Sequence, residues 1–354
     1  MNYFRFWNQI NLSNKKGNII DVYNFLKLLT INKVINSFLL RLSFFISKIF
    51  NVYIHWGYPE SVSIEPTNIC NLSCTECASG NNSMNRKRLF ISLDNYKKDI
   101  NQLKKHLVHL QLFFQGEPFM HSNIFDMILY ATDKHIYTSI STNGHFLSLS
   151  NCKKIVDSKL HCITISVDGT TQDSYEKYRV GGDLNTVLTG ISHLVNEKQR
   201  LKSKTPFIIM QFIVFRNNEH QINDIKQLAK QLKVDSLKIK TAQIDNYKYG
   251  NDLIPQNNKY SRYKREGDIY VINKRKNYKC KRIWFGLVIS AENNLLPCCF
   301  DKDAKYQFNS NIISNNNTII KNWNGDKIKH FRKVVWSKDN FIPICENCTE
   351  GLKH

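Results

Sequence analysis

The chain is short of acidic residues and has no uncharged apolar run of membrane-spanning length, no internal repeat and no cysteines spread as a disulfide scaffold. Aspartate and glutamate total 29 against 50 lysines and arginines, leaving a formal net charge of +21. Such a surplus can attract nucleic acid, an anionic membrane surface or an acidic peptide. The lysines, however, are scattered among asparagines and isoleucines rather than gathered into a patch, so no specific nucleic-acid partner is expected. A hydrophobic content of 42% over 354 residues excludes a disordered polyelectrolyte and suffices for one large core with a smaller appended domain.

Residues 34–53 come nearest to a membrane span, with Phe38, Leu39, Leu40, Phe44, Phe45, Ile49 and Phe50 in close succession, but Arg41 and Lys48 interrupt them. A span needs about twenty mostly uncharged residues. The pattern therefore predicts an amphipathic helix packed on the body, and ranks peripheral contact with a bilayer behind that. No cleavable signal is evident, and the ten cysteines fall in groups with metal-ligand spacing. A reducing, cytoplasmic setting is the expectation.

The first group is Cys70, Cys74 and Cys77, three and then two residues apart; the next cysteine is Cys152. Three thiolates without a fourth can hold three corners of an iron-sulfur cube and leave one iron open, whereas structural zinc wants four protein ligands. The triplet alone leaves both open. Around it, short apolar runs at 61–65, 108–114, 136–141, 162–167, 207–214 and 236–240 alternate with segments of helical period at 93–106, 124–134, 150–159, 186–200 and 220–232. Six strands with five intervening helices predict a parallel α/β sheet in a partial (β/α)6 barrel, preceded by a helical extension over 1–58. The barrel is bounded at 59–243.

In such folds the ligand site lies at the carboxyl ends of the strands. Successive strands here run into the cysteine loop, Gln115-Gly116-Glu117-Pro118, Thr142-Asn143-Gly144, and Ser166 with Asp168-Gly169, while the sixth contains Lys240. Polar and glycine chemistry thus recurs at one end of the sheet. Residues 244–270 lose the alternation and read as a linker or lid; 271–354 hold Cys280, the pair Cys298-Cys299, Cys345 and Cys348, with a hairpin over 284–296 and a helix over 323–335. Cys152 and Cys162 lack near partners and read as buried thiols.

A Cys-x3-Cys-x2-Cys loop after a first strand, with Gly-Glu-Pro after the second, resembles the radical S-adenosylmethionine (SAM) enzymes, and the C-terminal cysteines resemble their SPASM or twitch extension. The resemblance covers about 61–348. It implies that Cys70, Cys74 and Cys77 bind a 4Fe-4S cluster whose open iron takes SAM, and that Gly116, Glu117 and Pro118 hold the methionyl amino group. Asn143 would serve the ribose, and Ser166 and Arg179 the carboxylate, a task suited to the planar donor fork of arginine. Gln115 stands where many relatives have a glycine. Cys280, Cys298, Cys345 and Cys348 would hold one auxiliary 4Fe-4S cluster; Cys299 is the alternative to Cys298, and five cysteines are too few for two all-cysteine clusters. The implied activity is oxidation or crosslinking of a peptide or protein, with dehydrogenation of a small alcohol or sugar as the second substrate class and a flavodoxin or ferredoxin as electron donor. A zinc-stabilised nucleic-acid-binding protein is the rival from another class; it leaves the strand-end pattern unexplained.

Overall fold

Near-continuous apolar runs bounded by polar turns suit strands buried on both faces, and a computed structural model of the chain bears this out. It describes residues 10–13, 15–275, 278–308, 318–337 and 342–352. The strands are β1 (Ile10–Ser13), β2 (Ser61–Ile64), β3 (His109–Gln111), β4 (Tyr137–Thr142), β5 (Cys162–Ser166), β6 (Phe207–Val214), β7 (Ser236–Thr241), β8 (Tyr263–Glu266), β9 (Ile269–Ile272), β10 (Gly286–Ile289) and β11 (Leu295–Leu296). From β2 to β7 each strand pairs in parallel with the next, the partial barrel expected. Helices Leu93–Leu103, Ile124–Thr132, Leu149–Asp157, Leu184–Arg200 and Ile222–Gln231 fill the crossovers. Ser92, Ser148 and Asp183 start three of them by accepting a backbone N–H bond.

Both edges of this sheet are extended. On one side β1 pairs antiparallel with β7, so the N-terminal extension, helical from Lys15, also supplies a strand; its residues 1–9 lie outside the described residues. On the other, β10 pairs in parallel with β2, and β11 folds back on β10. The cysteine-rich region therefore continues the barrel sheet at its first strand. The segment expected to be an irregular linker contains the β8–β9 hairpin. Its Ile244, Tyr247, Ile254 and Tyr263 pack in one buried cluster with Leu72 and Cys74 of the cysteine loop. The helix expected at 323–335 is broken at Asn324-Gly325 into Ile319–Trp323 and Asp326–Ser337. Cys152 and Cys162 are fully buried, as anticipated for thiols without ligand partners.

The helix Ile31–Phe50 packs on the body through its polar side. Lys33, Asn36, Ser43 and Ser47 are buried with Leu40. Asn36 exchanges two bonds with the Tyr58 backbone (2.8 and 3.0 Å), Ser47 does so with Ile54 (2.8 and 2.9 Å), and Lys33 donates to the Leu28 and His135 carbonyls. Arg41 meets Glu60 through both terminal nitrogens, at 2.8 and 3.0 Å.

One ion pair joins the parts. Glu65, fully buried one residue beyond β2, receives Arg86 bidentately at 2.7 and 2.8 Å. Its oxygens also accept the backbone N–H of Ala291 (2.8 Å), after β10, and of Gln115 (3.3 Å), after β3. Arg86 in turn donates to the Lys302 carbonyl at 2.8 Å. A buried carboxylate stripped of its cation is strongly unfavourable. Arg86→Met is expected to lower the stability of the cluster-free chain by about 3–5 kcal/mol, seen as a lower urea midpoint; an unchanged midpoint would show that the pair does not fasten the sheet.

Candidate functional site

Leaving β2, the chain turns through Pro66 and Thr67 into the loop of Cys70, Cys74 and Cys77. Cys74 is buried and the other two are half-buried. Short-range bonds shape the loop: Cys77 N–H donates to the Cys74 carbonyl (3.2 Å), and the Gly80 and Asn81 N–H groups to that of Cys77 (2.9 and 2.8 Å). A Cβ on Gly80 would stand 2.5 Å from the Cys74 nitrogen, so only glycine lets this backbone close on the cysteine loop. This contact was not foreseen; Ser79-Gly80 directly behind the triplet was its only trace in the sequence.

The Gly-Glu-Pro turn lies against the same loop. Gly116 has φ +71, and a Cβ there would meet the Thr67 and Ile69 carbonyls at 2.4 and 2.7 Å. Its N–H donates to Ser79 Oγ (3.0 Å) and the Glu117 N–H to the Ile69 carbonyl (2.8 Å). Pro118 opens the short helical turn that follows. The Glu117 carboxylate, expected at an amino group, is used within the protein: it accepts from Phe119 N (3.1 Å), Thr142 Oγ1 (2.8 Å) and Asn143 N (2.8 Å). It thereby locks the loop after β3 to that after β4. Burial pushes its pKa up to about 7 against these bonds.

Asn143 donates from Nδ2 to Asn71 Oδ1 at 2.8 Å, with Cys70 Sγ at 3.8 Å, and its Oδ1 accepts from His145 N (3.1 Å). Ser166 is buried at the end of β5. Beyond it, Asp168 holds Arg179 through Nε (2.7 Å) and Nη2 (2.6 Å), while Nη1 points to Cys74 Sγ at 3.7 Å. Asp168 is itself fixed by Ile213 N (2.7 Å). The sequence marked Asp168 only as part of a turn; its position two residues past the strand was the available signal. The structure thus gathers Gly116, Glu117, Asn143, Asp168 and Arg179 around the cysteine triplet, at the carboxyl ends of β2 to β5.

The second group surrounds Arg282. Its Nη1 donates to Cys299 Sγ at 3.2 Å, Nη2 to Thr349 Oγ1 at 2.9 Å, and Nε meets Glu350 at 3.2 Å. Glu350 N–H points to Cys348 Sγ at 3.3 Å. Burial raises the Cys298 thiol, reinforced by the neighbouring charges of Cys299, Cys280 and Cys348. Cys345 and Cys348 likewise bear on Cys280. Between the two cysteine groups, near the end of β7, Lys240 is pushed down to about 7 by burial, with Lys238 and Arg282 adding to the effect; it feels both Cys299 and Asp168.

Among the described residues, no three His, Cys, Asp or Glu side chains converge as one metal ion would require. A single zinc draws its sulfurs to about 2.3 Å from one point; a cluster takes each thiolate on a separate iron. Burial raises Cys70 and Cys348 to about 11 each, and at Cys348 the Arg282 guanidinium offsets this only in part, so holding these thiols as thiolates takes further positive charge. An iron cluster supplies that charge.

A family model described as the Radical SAM superfamily matches residues 64–233, and one described as an iron-sulfur cluster-binding domain, SPASM, matches 280–349. The chain is 26% identical over 172 residues to the AdoMet-dependent heme synthase of Nitratidesulfovibrio vulgaris, covering 48% of this chain and 45% of that protein. It is 26% identical over 188 residues to the PqqA peptide cyclase of Bradyrhizobium diazoefficiens, covering 53% and 48%. The chain thus spans about half the length of these curated relatives. Streptococcus suis SuiB shares the fold with a TM-score of 0.60 at 14% identity, over 82% of this chain and 71% of that one. A SuiB structure bound to precursor peptide SuiA matches at 0.60 and 13%, covering 82% and 70%. Both cysteine groups thus lie inside matched domains: residues 64–233 form a radical SAM domain and residues 280–349 a SPASM-type iron-sulfur domain.

Proposed function

We propose that the protein reductively cleaves SAM and uses the resulting radical to oxidise or crosslink a peptide or protein substrate. The observation that carries the reading is the convergence of the Cys70–Cys77 loop, the Gly116 turn and the Asp168-held Arg179 at one end of a sheet whose edge continues into the second cysteine group. Relatives named as a PqqA peptide cyclase and a mycofactocin maturase support the peptide class. Dehydrogenation of a small alcohol or sugar is the second reading, favoured by the five C-terminal cysteines, enough for one all-cysteine cluster. The proposal includes a cytoplasmic setting and a flavodoxin or ferredoxin as electron donor; among the described residues no single helix is long and apolar enough to cross a membrane.

In this reading Cys70, Cys74 and Cys77 hold the first cluster, and Cys280, Cys298, Cys345 and Cys348 the auxiliary one. Cys298 is preferred to Cys299 because the Cys299 sulfur is already engaged by Arg282. When bound, the first cluster and SAM together supply the electron and the scissile carbon-sulfur bond from which the 5′-deoxyadenosyl radical comes. The protein's part is placement. Gly116 and Pro118 shape the wall against the cysteine loop, Asn143 offers its amide beside Cys70, and Arg179, oriented by Asp168, presents cationic charge beside Cys74. Ser166 lines the same strand end. Glu117 acts by fixing Asn143, with acceptor capacity left for a donor on the ligand.

A substrate radical that ends as a closed-shell oxidised product must shed one electron and one proton. In this reading Lys240, whose pKa burial lowers to about 7, takes the proton.

The anaerobically reconstituted protein with dithionite and SAM is expected to form 5′-deoxyadenosine, and Cys74→Ala to form none; wild type that is fully loaded with iron yet makes none would refute the assignment. Cys348→Ala should keep part of the SAM cleavage while losing product, as read by chromatography of both. Product formation should rise with pH through about 7 as Lys240 loses its proton. In Lys240→Gln this inflection should vanish and the product rate fall about 10²-fold or more; a retained inflection assigns the proton elsewhere.

A further inference from the structure

Arg282 stands two residues after Cys280 and opens the short helix Arg282–Phe285 that leads into β10. From there it reaches both of the other cysteine segments. Its guanidinium bonds Cys299 Sγ at 3.2 Å and Thr349 Oγ1 at 2.9 Å, and lies over the Phe300 ring, 5.6 Å from the centroid. Its Nε meets the carboxylate of Glu350 at 3.2 Å. Glu350 is buried, and its N–H points to Cys348 Sγ at 3.3 Å. A cation and an anion thus stand side by side among the C-terminal cysteines. Both charges are felt at Cys348. Lys274, a neighbouring cation, is turned instead to the carbonyls of Cys345 and Glu346, at 2.6 and 2.7 Å.

We propose that Arg282 and Glu350 form an opposed pair that sets the reduction potential of the auxiliary cluster, the guanidinium raising it and the carboxylate lowering it. This rests on the reading of the second cysteine group as an iron-sulfur site. Gaining one electron makes such a cluster one charge more negative. A cation and N–H donors beside its sulfurs favour that reduced form, whereas a carboxylate opposes it. A substrate radical that closes its shell releases one electron and one proton; with the proton taken by Lys240, the electron is what the second group must accept. Arg282 keeps that acceptance favourable although a buried carboxylate lies beside the same cysteines. Without the arginine, Glu350 would face them alone.

Redox titration of the full-length chain carrying alanine at positions 70, 74 and 77 reads the auxiliary site by itself, through the electron paramagnetic resonance of the reduced cluster. In that background Arg282→Gln should lower the ratio of reduced to oxidised cluster at a fixed potential about tenfold, which is about 59 mV for one electron. Glu350→Gln should raise the ratio by a similar factor. Arg282→Lys, which keeps the charge, should stay closer to the background than Arg282→Gln does. Iron analysis showing about four irons per chain establishes that each protein is loaded. The proposal is overturned, with the cluster assignment intact, if loaded glutamine variants share the midpoint of the background, if both move it the same way, or if Arg282→Lys shifts it as far as Arg282→Gln. Should Arg282→Gln fail to hold iron, Glu350→Gln decides alone, and a midpoint that does not rise overturns the proposal. A background protein that takes up no iron would instead overturn the auxiliary cluster itself.

Discussion

The buried pair of Glu65 and Arg86 is the contact on which the rest of the architecture turns. Glu65 follows the first barrel strand and precedes the first cysteine loop, and it bonds at once to the segment behind that loop, the turn after β3 and the turn after β10. A carboxylate without exposure is tolerable only with its charge matched and its lone pairs filled, and Arg86 with two backbone N–H groups does this. The two cysteine groups are thus held by one sheet and one ion pair. They are not independent lobes free to separate. An electron path between them would inherit that rigidity.

Within the site the same economy recurs: groups that face the cysteines are oriented by groups that do not. Arg179 is held by Asp168, and Asp168 by the β6 backbone at Ile213. Asn143 is fixed through its N–H by Glu117. Gly80 and Gly116 act by omission, each allowing two backbones to approach at a distance a side chain would forbid.

Much of this was legible in the sequence, and the part that was not has a common cause. The six barrel strands, the crossover helices and the clustering of polar residues at strand ends follow from periodicity and turn chemistry, which are local. What periodicity does not carry is pairing at sheet edges: β1 on β7 and β10 on β2 are contacts between distant segments. The engagement of Glu117 by Thr142 and Asn143 is equally non-local. The orientation of Ile31–Phe50 was hidden for another reason. Its apolar stripe reads as a core face, yet the side chains that find partners on the body are Lys33, Asn36 and Ser47, bonded to backbone groups placed elsewhere, and Ser43, which accepts from the Trp284 indole.

The account rests on two separate iron-sulfur sites joined through one sheet. Iron and sulfide analysis of the anaerobically reconstituted protein tests this most directly, with Cys70, Cys74 and Cys77 replaced together by alanine in one variant and Cys280, Cys345 and Cys348 in another. The account predicts about eight irons per chain in the wild type and about four in each variant. Zinc in place of iron at either site, or an iron content that either set of substitutions leaves unchanged, would contradict it.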